Sequence, residues 1–141
     1  DPETGLIGIA RYLVVDDVGH AINPLIVRGQ VHGGVAQGVG QALHEHTVYD
    51  PESGQLLSAS FMDYALPRAE DLPPILTASR PVPAKTNPVG AKGCGEAGCA
   101  GSLPAVMNAL ADALRAAGAE PVDMPATPEK VWMALQRTSR G

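Results

Sequence analysis

Between Pro24 and His46 the chain carries two patterns that conflict, and together they restrict what it can fold into. Val27, Val31, Val35, Val39 and Leu43 recur every four residues, the repeat of one face of an α-helix. Gly29, Gly33, Gly34, Gly38 and Gly40 fall in the same span. An interior glycine costs a helix about 1 kcal/mol relative to alanine, so this set costs roughly 5 kcal/mol, a large part of the net stability of a domain. A helix here needs a compensating contact that only glycine permits: close approach of another backbone or of a bulky ligand. Asn23-Pro24 marks its start, an N-cap residue followed by proline at the first helical position.

The chain around this helix has the size of one domain, 141 residues, enough to bury a core without disulfides or a structural metal. Hydrophobic residues make up 45% but aromatic ones only 4%, so the core is expected to be aliphatic. The 16 Gly and 13 Pro are spread along the chain, which predicts an ordered but loop-rich domain. The formal charge is -5, and Lys and Arg form no cluster, which argues against a nucleic-acid or anionic-membrane surface. No apolar run approaches the ~18 residues that mark a transmembrane helix. The chain opens on Asp1-Pro2-Glu3-Thr4-Gly5, without an initiator Met or a signal-like segment, and is expected to be a fragment or a processed chain. Cys94 and Cys99 are poor material for a disulfide framework and fit a reducing cytoplasm.

Leu6 to Val15 is apolar and β-branched and reads as a buried strand, ended by the turn signal Asp16-Asp17-Val18-Gly19. Residues 47–50 and 55–60 flank Pro51-Glu52-Ser53-Gly54 as a hairpin. Residues 61–74 read as irregular, Ile75 to Ser79 as a short strand, and 81–101 as a long Pro/Gly loop of the kind that is usually functional. Ser102-Leu103-Pro104 opens a helix with the apolar stripe Ala105, Val106, Ala109, Leu110, Ala113 and Leu114, stopped by Gly118. Thr127-Pro128 caps a last helix carrying Val131, Trp132 and Leu135. The class is α+β, a small mixed β-sheet with helices packed on it.

Two constellations could carry chemistry. Gly93-x-Gly95-x-x-Gly98 formally matches a dinucleotide fingerprint, but Pro81, Pro83 and Pro88 precede it where that motif needs a strand. Within it, Glu96 stands among glycines and small residues. It is either a general base that a ligand can bury or a residue that suits the N-terminal dipole of the following helix. Two cysteines are too few for an iron–sulfur or zinc site. In the second constellation, Gln30, Gln37 and Gln41 share a helix face with Gly33 and Gly34 and could donate to and accept from a heterocyclic ligand. His44-Glu45-His46 reads as a surface strand end, His20 and His32 as ordinary polar positions, and Asp16-Asp17 and Glu70-Asp71 as solvated turn residues. No metal ligand set is expected.

The same two constellations resemble a known family. The runs Val15 to Pro24 and Gly29 to Gly38, Ser60-Phe61-Met62-Asp63-Tyr64-Ala65-Leu66-Pro67-Arg68, Lys92 to Gly98, and Asp123 to Trp132 are similar, in order, to the molybdopterin-binding large subunit of the xanthine dehydrogenase, aldehyde oxidase and carbon monoxide dehydrogenase family. The resemblance implies that residues 1–141 form a single C-terminal molybdenum-cofactor-binding subdomain, a fragment of a larger subunit. It implies oxidative hydroxylation of an aldehyde or N-heterocycle, or oxidation of carbon monoxide, with water as the oxygen source. Glu96 matches the general base, Gln30 a glutamine at the pterin end, Cys94 and Gly95 backbone positions beside the metal, and Asn23 a cofactor-side turn. The implied cofactor is a molybdopterin-type molybdenum cofactor, often the cytosine dinucleotide form in bacteria. Iron–sulfur clusters and FAD belong to partner subunits. Family members more often have Val at the position of Cys94 and Thr or Ser at that of Cys99.

The implied partners are the N-terminal part of the large subunit, an iron–sulfur subunit and an FAD subunit, without nucleic acid or membrane insertion. Alone, the chain is expected to be inactive and to form a homo-oligomer through exposed apolar surface. The competing readings are a non-catalytic binding or structural fragment of a split or truncated gene, and a nucleotide-binding domain using the Gly-rich loop.

Overall fold

The computed structural model describes residues 1–138. The elements run β1 (Tyr12–Asp16), α1 (Pro24–Leu43), a 3-10 turn (Ala69–Asp71), β2 (Ile75–Ser79), α2 (Ala97–Ala116) and α3 (Pro128–Thr138). α1 starts where the sequence places it. The Asn23 carboxamide oxygen accepts hydrogen bonds from the Leu25 and Ile26 N–H groups at 3.1 and 3.2 Å, capping the helix.

α1 and α2 cross in close contact, and glycine makes the crossing possible. A Cβ added at Gly34 would lie 2.8 Å from the Cys99 backbone nitrogen, and one at Gly98 would lie 2.6 Å from the Val31 carbonyl oxygen. At Gly38 it would meet the Ser102 Cβ at 2.5 Å. The Ser102 hydroxyl, 1% exposed, donates to the Val35 carbonyl at 3.2 Å. That bond satisfies a hydroxyl that would otherwise be costly to bury. Gly40 is approached by Glu45 and Pro67, whereas nothing lies against Gly29 or Gly33.

The core beside this crossing is aliphatic, as the composition implies: Val31, Val35, Val39, Leu43, Val106, Leu110, Leu114 and Val131 are buried, and no aromatic side chain is. On α2 the buried line is Ser102, Val106, Leu110 and Leu114, while Ala105, Ala109 and Ala113 are exposed, so the expected stripe is narrower than read. α2 also begins at Ala97, ahead of the expected Ser102, and carries Pro104 inside it. Proline forfeits an i→i−4 bond there. The packing of Gly98 against α1 outweighs these local signals, which otherwise read as loop.

β1 and β2 pair in parallel, from Tyr12 opposite Ile75 to Asp16 opposite Ser79. The class is α+β, but the named sheet is this parallel pair, and antiparallel pairing is confined to the isolated bridges Gly19–Ala91 and Tyr49–Leu56. The expected hairpin at 47–60 thus reduces to one bridge and a turn held by Asp50, which accepts from Glu52 and Ser53 N–H. The expected strand from Leu6 is laddered only from Tyr12, and it is not buried. Tyr12, Val14 and Ile75 pack against the helices, whereas Leu13 and Val15 are 61% and 60% exposed. Ile7 and Ile9 continue the packed side ahead of the ladder. The other face of the sheet is uncovered.

Substitutions at two glycines separate the two kinds of position. Gly98→Ala should destabilise the 141-residue chain by about 1–3 kcal/mol, because backbone of α1 stands where the methyl must go. Gly29→Ala, facing open space, should stabilise it by about 0.5–1 kcal/mol through helix propensity. Thermal unfolding of the two variants beside the parent measures both effects.

Candidate functional site

The long loop between β2 and α2 is irregular in its backbone but tied down along its length. The Asn87 carboxamide oxygen accepts from the Gly90 and Ala91 N–H groups at 2.7 and 3.2 Å, and its nitrogen donates to the Ala91 carbonyl at 3.0 Å. Gly90 has a φ of 72°, a conformation that favours glycine, and its carbonyl accepts from the His20 N–H at 2.9 Å. The Lys92 N–H donates to the Val18 carbonyl at 2.9 Å. These bonds stitch residues 87–92 to the turn that follows β1.

Asp17 is the centre of that junction. Its Oδ1 accepts from the Gly19 N–H and from the Val82 N–H, both at 2.9 Å. Its Oδ2 accepts from the Lys92 ammonium. The Lys92 hydrogen bond first, then the two backbone N–H groups, hold the Asp17 carboxyl down at about 2. Asp17 is thus not the merely solvated turn residue expected from the sequence. The local Asx turn to Gly19 is legible in the Asp-Val-Gly spacing, but the partners at Val82 and Lys92 are not.

Beyond Lys92 the chain crosses to α2 through Gly93-Cys94-Gly95-Glu96. A Cβ at Gly93 would meet nothing, and one at Gly95 only the Gln30 side-chain oxygen, 3.9 Å away. Glu96 occupies the N-cap position of α2, is exposed, and makes no capping hydrogen bond with its side chain. Of the two roles left open for it, side-chain capping is therefore not observed. Gln30, exposed on α1, stands over this bare segment, so Gln30, Gly95 and Glu96 come together with the half-buried Cys94. Asn23 does not join them through its side-chain oxygen, which caps α1 two turns earlier.

The three glutamines separate. Gln37 and Gln41 line a different pocket with Glu45, Thr47 and Tyr64. There the Tyr64 hydroxyl donates to Glu45 at 2.6 Å, and this bond raises the phenol above its ordinary range. His44 is the C-cap of α1, its N–H donating to the Gly40 carbonyl, so His44-Glu45-His46 is a helix end and not a strand end. Cys94 and Cys99 are free thiols. Among the described residues no group of three or more His, Cys, Asp or Glu could hold a metal ion, and no helix is long and apolar enough to cross a membrane.

A glycine loop with no side chains of its own, an amide able to donate and accept, and backbone N–H groups at a helix start suit a polar heterocycle carrying an anionic group. The parallel pair β1–β2 and the helices α1 and α2 frame this loop. The comparisons with known proteins make this specific. The family model described as "Molybdopterin cofactor-binding domain" matches residues 1–73. The nicotine 6-hydroxylase large subunit of Paenarthrobacter nicotinovorans is 42% identical over 136 residues, 96% of this chain and 16% of that protein. The carbon monoxide dehydrogenase large chain of Hydrogenophaga pseudoflava is 38% identical over 136 residues, 96% of this chain and 17% of that one. Among solved structures, carbon monoxide dehydrogenase from Oligotropha carboxidovorans superposes on 99% of the chain with a TM-score of 0.92 and 36% identity, covering 17% of its own chain. Quinoline 2-oxidoreductase from Pseudomonas putida 86 covers 88% of this chain and 16% of its own, with a TM-score of 0.83 and 39% identity. The chain belongs to the molybdopterin cofactor-binding domain family. It spans about a sixth of the length of the curated relatives it matches.

The low Asp17 pKa has a consequence for acid stability. Folded Asp17 titrates near about 2 and the free side chain near 3.8, so the unfolded chain binds more protons between these values. Its contribution is fully present above pH about 4 and should be lost as pH falls toward about 2. Asp17→Asn should flatten this part of the stability profile, measured by urea unfolding at a series of pH values.

Proposed function

We propose that this chain is the C-terminal portion of a molybdenum hydroxylase large subunit and supplies the general base and part of the cofactor site. The observation that carries the reading is the meeting of Gln30 with the bare Gly95 segment directly before Glu96, whose carboxylate is exposed and free of any capping bond. The order of motifs and the family membership support it.

In this reading the molybdenum cofactor, in the cytosine dinucleotide form used by many bacterial members, supplies two-electron redox chemistry with oxygen drawn from water. The chain's residues do the rest. Gln30 binds the pterin edge through an amide that both donates and accepts. Gly93 and Gly95 leave the loop backbone approachable, and Cys94 and Gly95 would be the positions that hold the cofactor against it. Asn23 holds the start of α1, and with it the position of Gln30. Glu96 takes up the proton released as water oxygen is transferred to the substrate carbon.

The substrate is an aldehyde, an N-heterocycle or carbon monoxide. The rest of the large subunit completes the pocket, and iron–sulfur and FAD subunits carry electrons away. Such a complex works in the cytoplasm, where Cys94 and Cys99 stay reduced.

The test is the enzyme assembled with the remainder of its large subunit and its partner subunits. Glu96→Gln keeps the shape and removes the base. Turnover should fall by at least about a thousandfold while molybdenum stays at the parental stoichiometry by mass spectrometry. Substantial turnover in that variant would remove Glu96 from the role. Gln30→Ala should instead reduce cofactor retention by about tenfold, the weight of one hydrogen bond to a buried polar ligand, read as molybdenum content after dilution and re-concentration.

A further inference from the structure

We infer that the extended segment from Leu6 takes an antiparallel strand on its free edge, formed by the residues directly ahead of Asp1 in the longer subunit, and that this strand fills the groove between that edge and α2. The inference rests on the proposed place of the chain in a larger subunit and deepens it.

The chain carries one turn twice. Asp1-Pro2-Glu3-Thr4-Gly5-Leu6 and Asp50-Pro51-Glu52-Ser53-Gly54-Gln55 differ only at their fourth and last positions. In the first, the Gly5 N–H donates to the Asp1 carbonyl at 2.8 Å and the Asp1 nitrogen to the Leu6 carbonyl at 2.9 Å. In the second, the Gly54 N–H donates to the Asp50 carbonyl at 2.9 Å and the Asp50 N–H to the Gln55 carbonyl at 2.8 Å. Gly5 and Gly54 have φ of 71° and 72°. Each is a four-residue loop that reverses the chain. Ahead of the second turn the chain does run back antiparallel: Tyr49 bridges Leu56, and the Leu57 N–H donates to the Val48 carbonyl at 2.8 Å. The same register at the first turn sets the residue ahead of Asp1 opposite Ile7 and the second residue ahead opposite Gly8, with the Gly8 N–H donating to it. The turn cannot swing away from this path. A Cβ at Gly5 would lie 1.9 Å from the Pro128 carbonyl oxygen, and the Gln136 side chain donates to the Pro2 carbonyl at 3.3 Å.

The edge that such a strand needs is open. Among the described residues, Ile7 to Arg11 make no backbone hydrogen bond. The Asp16 carbonyl turns to β2, where it accepts from the Arg80 N–H at 2.9 Å, so Leu13 and Val15 present their backbone groups to the opposite edge. Ile7 and Ile9 pack inward, then Tyr12 and Val14, while Ala10 and Arg11 are both exposed. This one-residue shift, the mark of a bulge, puts β2 and the edge begun at Asp1 on opposite sides. A groove of about 670 Å³ runs along residues 7–16 with α2 as its floor, and no residue of β2 lines it. Ala105, Ala109 and Ala113 form part of that floor and are exposed. Side chains opposite Ile7 and Ile9 share their face, so the first and third residues ahead of Asp1 point at these alanines and should be apolar.

The experiment uses the enzyme assembled from the full-length large subunit and its partners. Gly8→Cys, where a Cβ meets nothing, is combined with cysteine at the second residue ahead of Asp1 or, as comparator, at the third. Mild oxidation should link the first pair, and link the comparator at least about tenfold less, because its side chain points to the other face. Peptide mass spectrometry separates the link from Cys94 and Cys99. In the parent enzyme, which needs no variant, the Gly8 amide should exchange its hydrogen at least about a hundredfold slower than an unprotected one. A Gly8 amide exchanging at the unprotected rate, no link in the first pair, equal linking in both pairs, or charged residues at both inward positions would overturn the strand. Molybdenum content and a parallel Glu96→Gln enzyme report on the function proposed above. A parent without molybdenum, or an active Glu96→Gln, overturns that reading, whereas a missing link in an enzyme that passes both overturns the strand alone.

Discussion

The contact between α1 and α2 is the constraint on which everything else in this chain hangs. Backbone meets backbone at Gly34 and Gly98, with Gly38 against Ser102 beside it. Interior glycines weaken each helix taken alone, and α1 has no acidic residue in its first turn or basic residue in its last to help it. The helices hold because the approach buries Val31, Val35 and Val39 against Val106, Leu110 and the residues around them. Burial of side chains of this kind is worth about 1.5–3 kcal/mol each, enough to offset the cost of the glycines that permit it. The same approach puts the N-terminus of α2, and so Glu96, beside the exposed edge of α1 that carries Gln30. Packing and site geometry are two results of one contact.

The second organising element is polar and lies at the opposite end of the loop. The turn after β1 collects Asp17, Val18 and His20 against Val82, Gly90 and Lys92. None of these bonds is strong alone, and the exposed ion pair between Asp17 and Lys92 adds little stability by itself. Their effect is geometric. A loop with several prolines and glycines has few side chains to pack, so its shape must come from hydrogen bonds to something rigid, here the end of the parallel strand pair.

What was legible in the sequence follows from the range of the physics involved. The cap of α1, its valine face, strand β2, the stop at Gly118 and the start of α3 are set by neighbours a few residues away, and all stand where they were expected. The start of α2 was not legible, because Gly98 and Gly101 look like loop until α1 is placed against them. Strand β1 looked longer and more buried than it is, since composition reports apolar character but not whether a partner is present. At the site, Glu96 stood out by its bare surroundings and Gln30 by its helix face, yet their juxtaposition across residues 30–96 is a tertiary fact. Asp17 reads in the sequence only as a turn residue, because its partners Val82 and Lys92 are 65 and 75 positions away.

The glycines of α1 sort into two groups, and the sorting links fold to function. Gly34 and Gly38 are explained by α2, and Gly40 by Glu45 and Pro67. Gly29 and Gly33 meet nothing, and they flank Gln30 along the exposed side of the helix. A helix that needed glycine only for packing against α2 would carry alanine at these two positions and gain stability from it. Gly93 is equally open, and a Cβ at Gly95 would meet only the Gln30 side-chain oxygen, 3.9 Å away. In the function proposed above, a ligand hydrogen-bonded to Gln30 and lying close to the backbone would account for all four glycines. Core packing accounts for none of them.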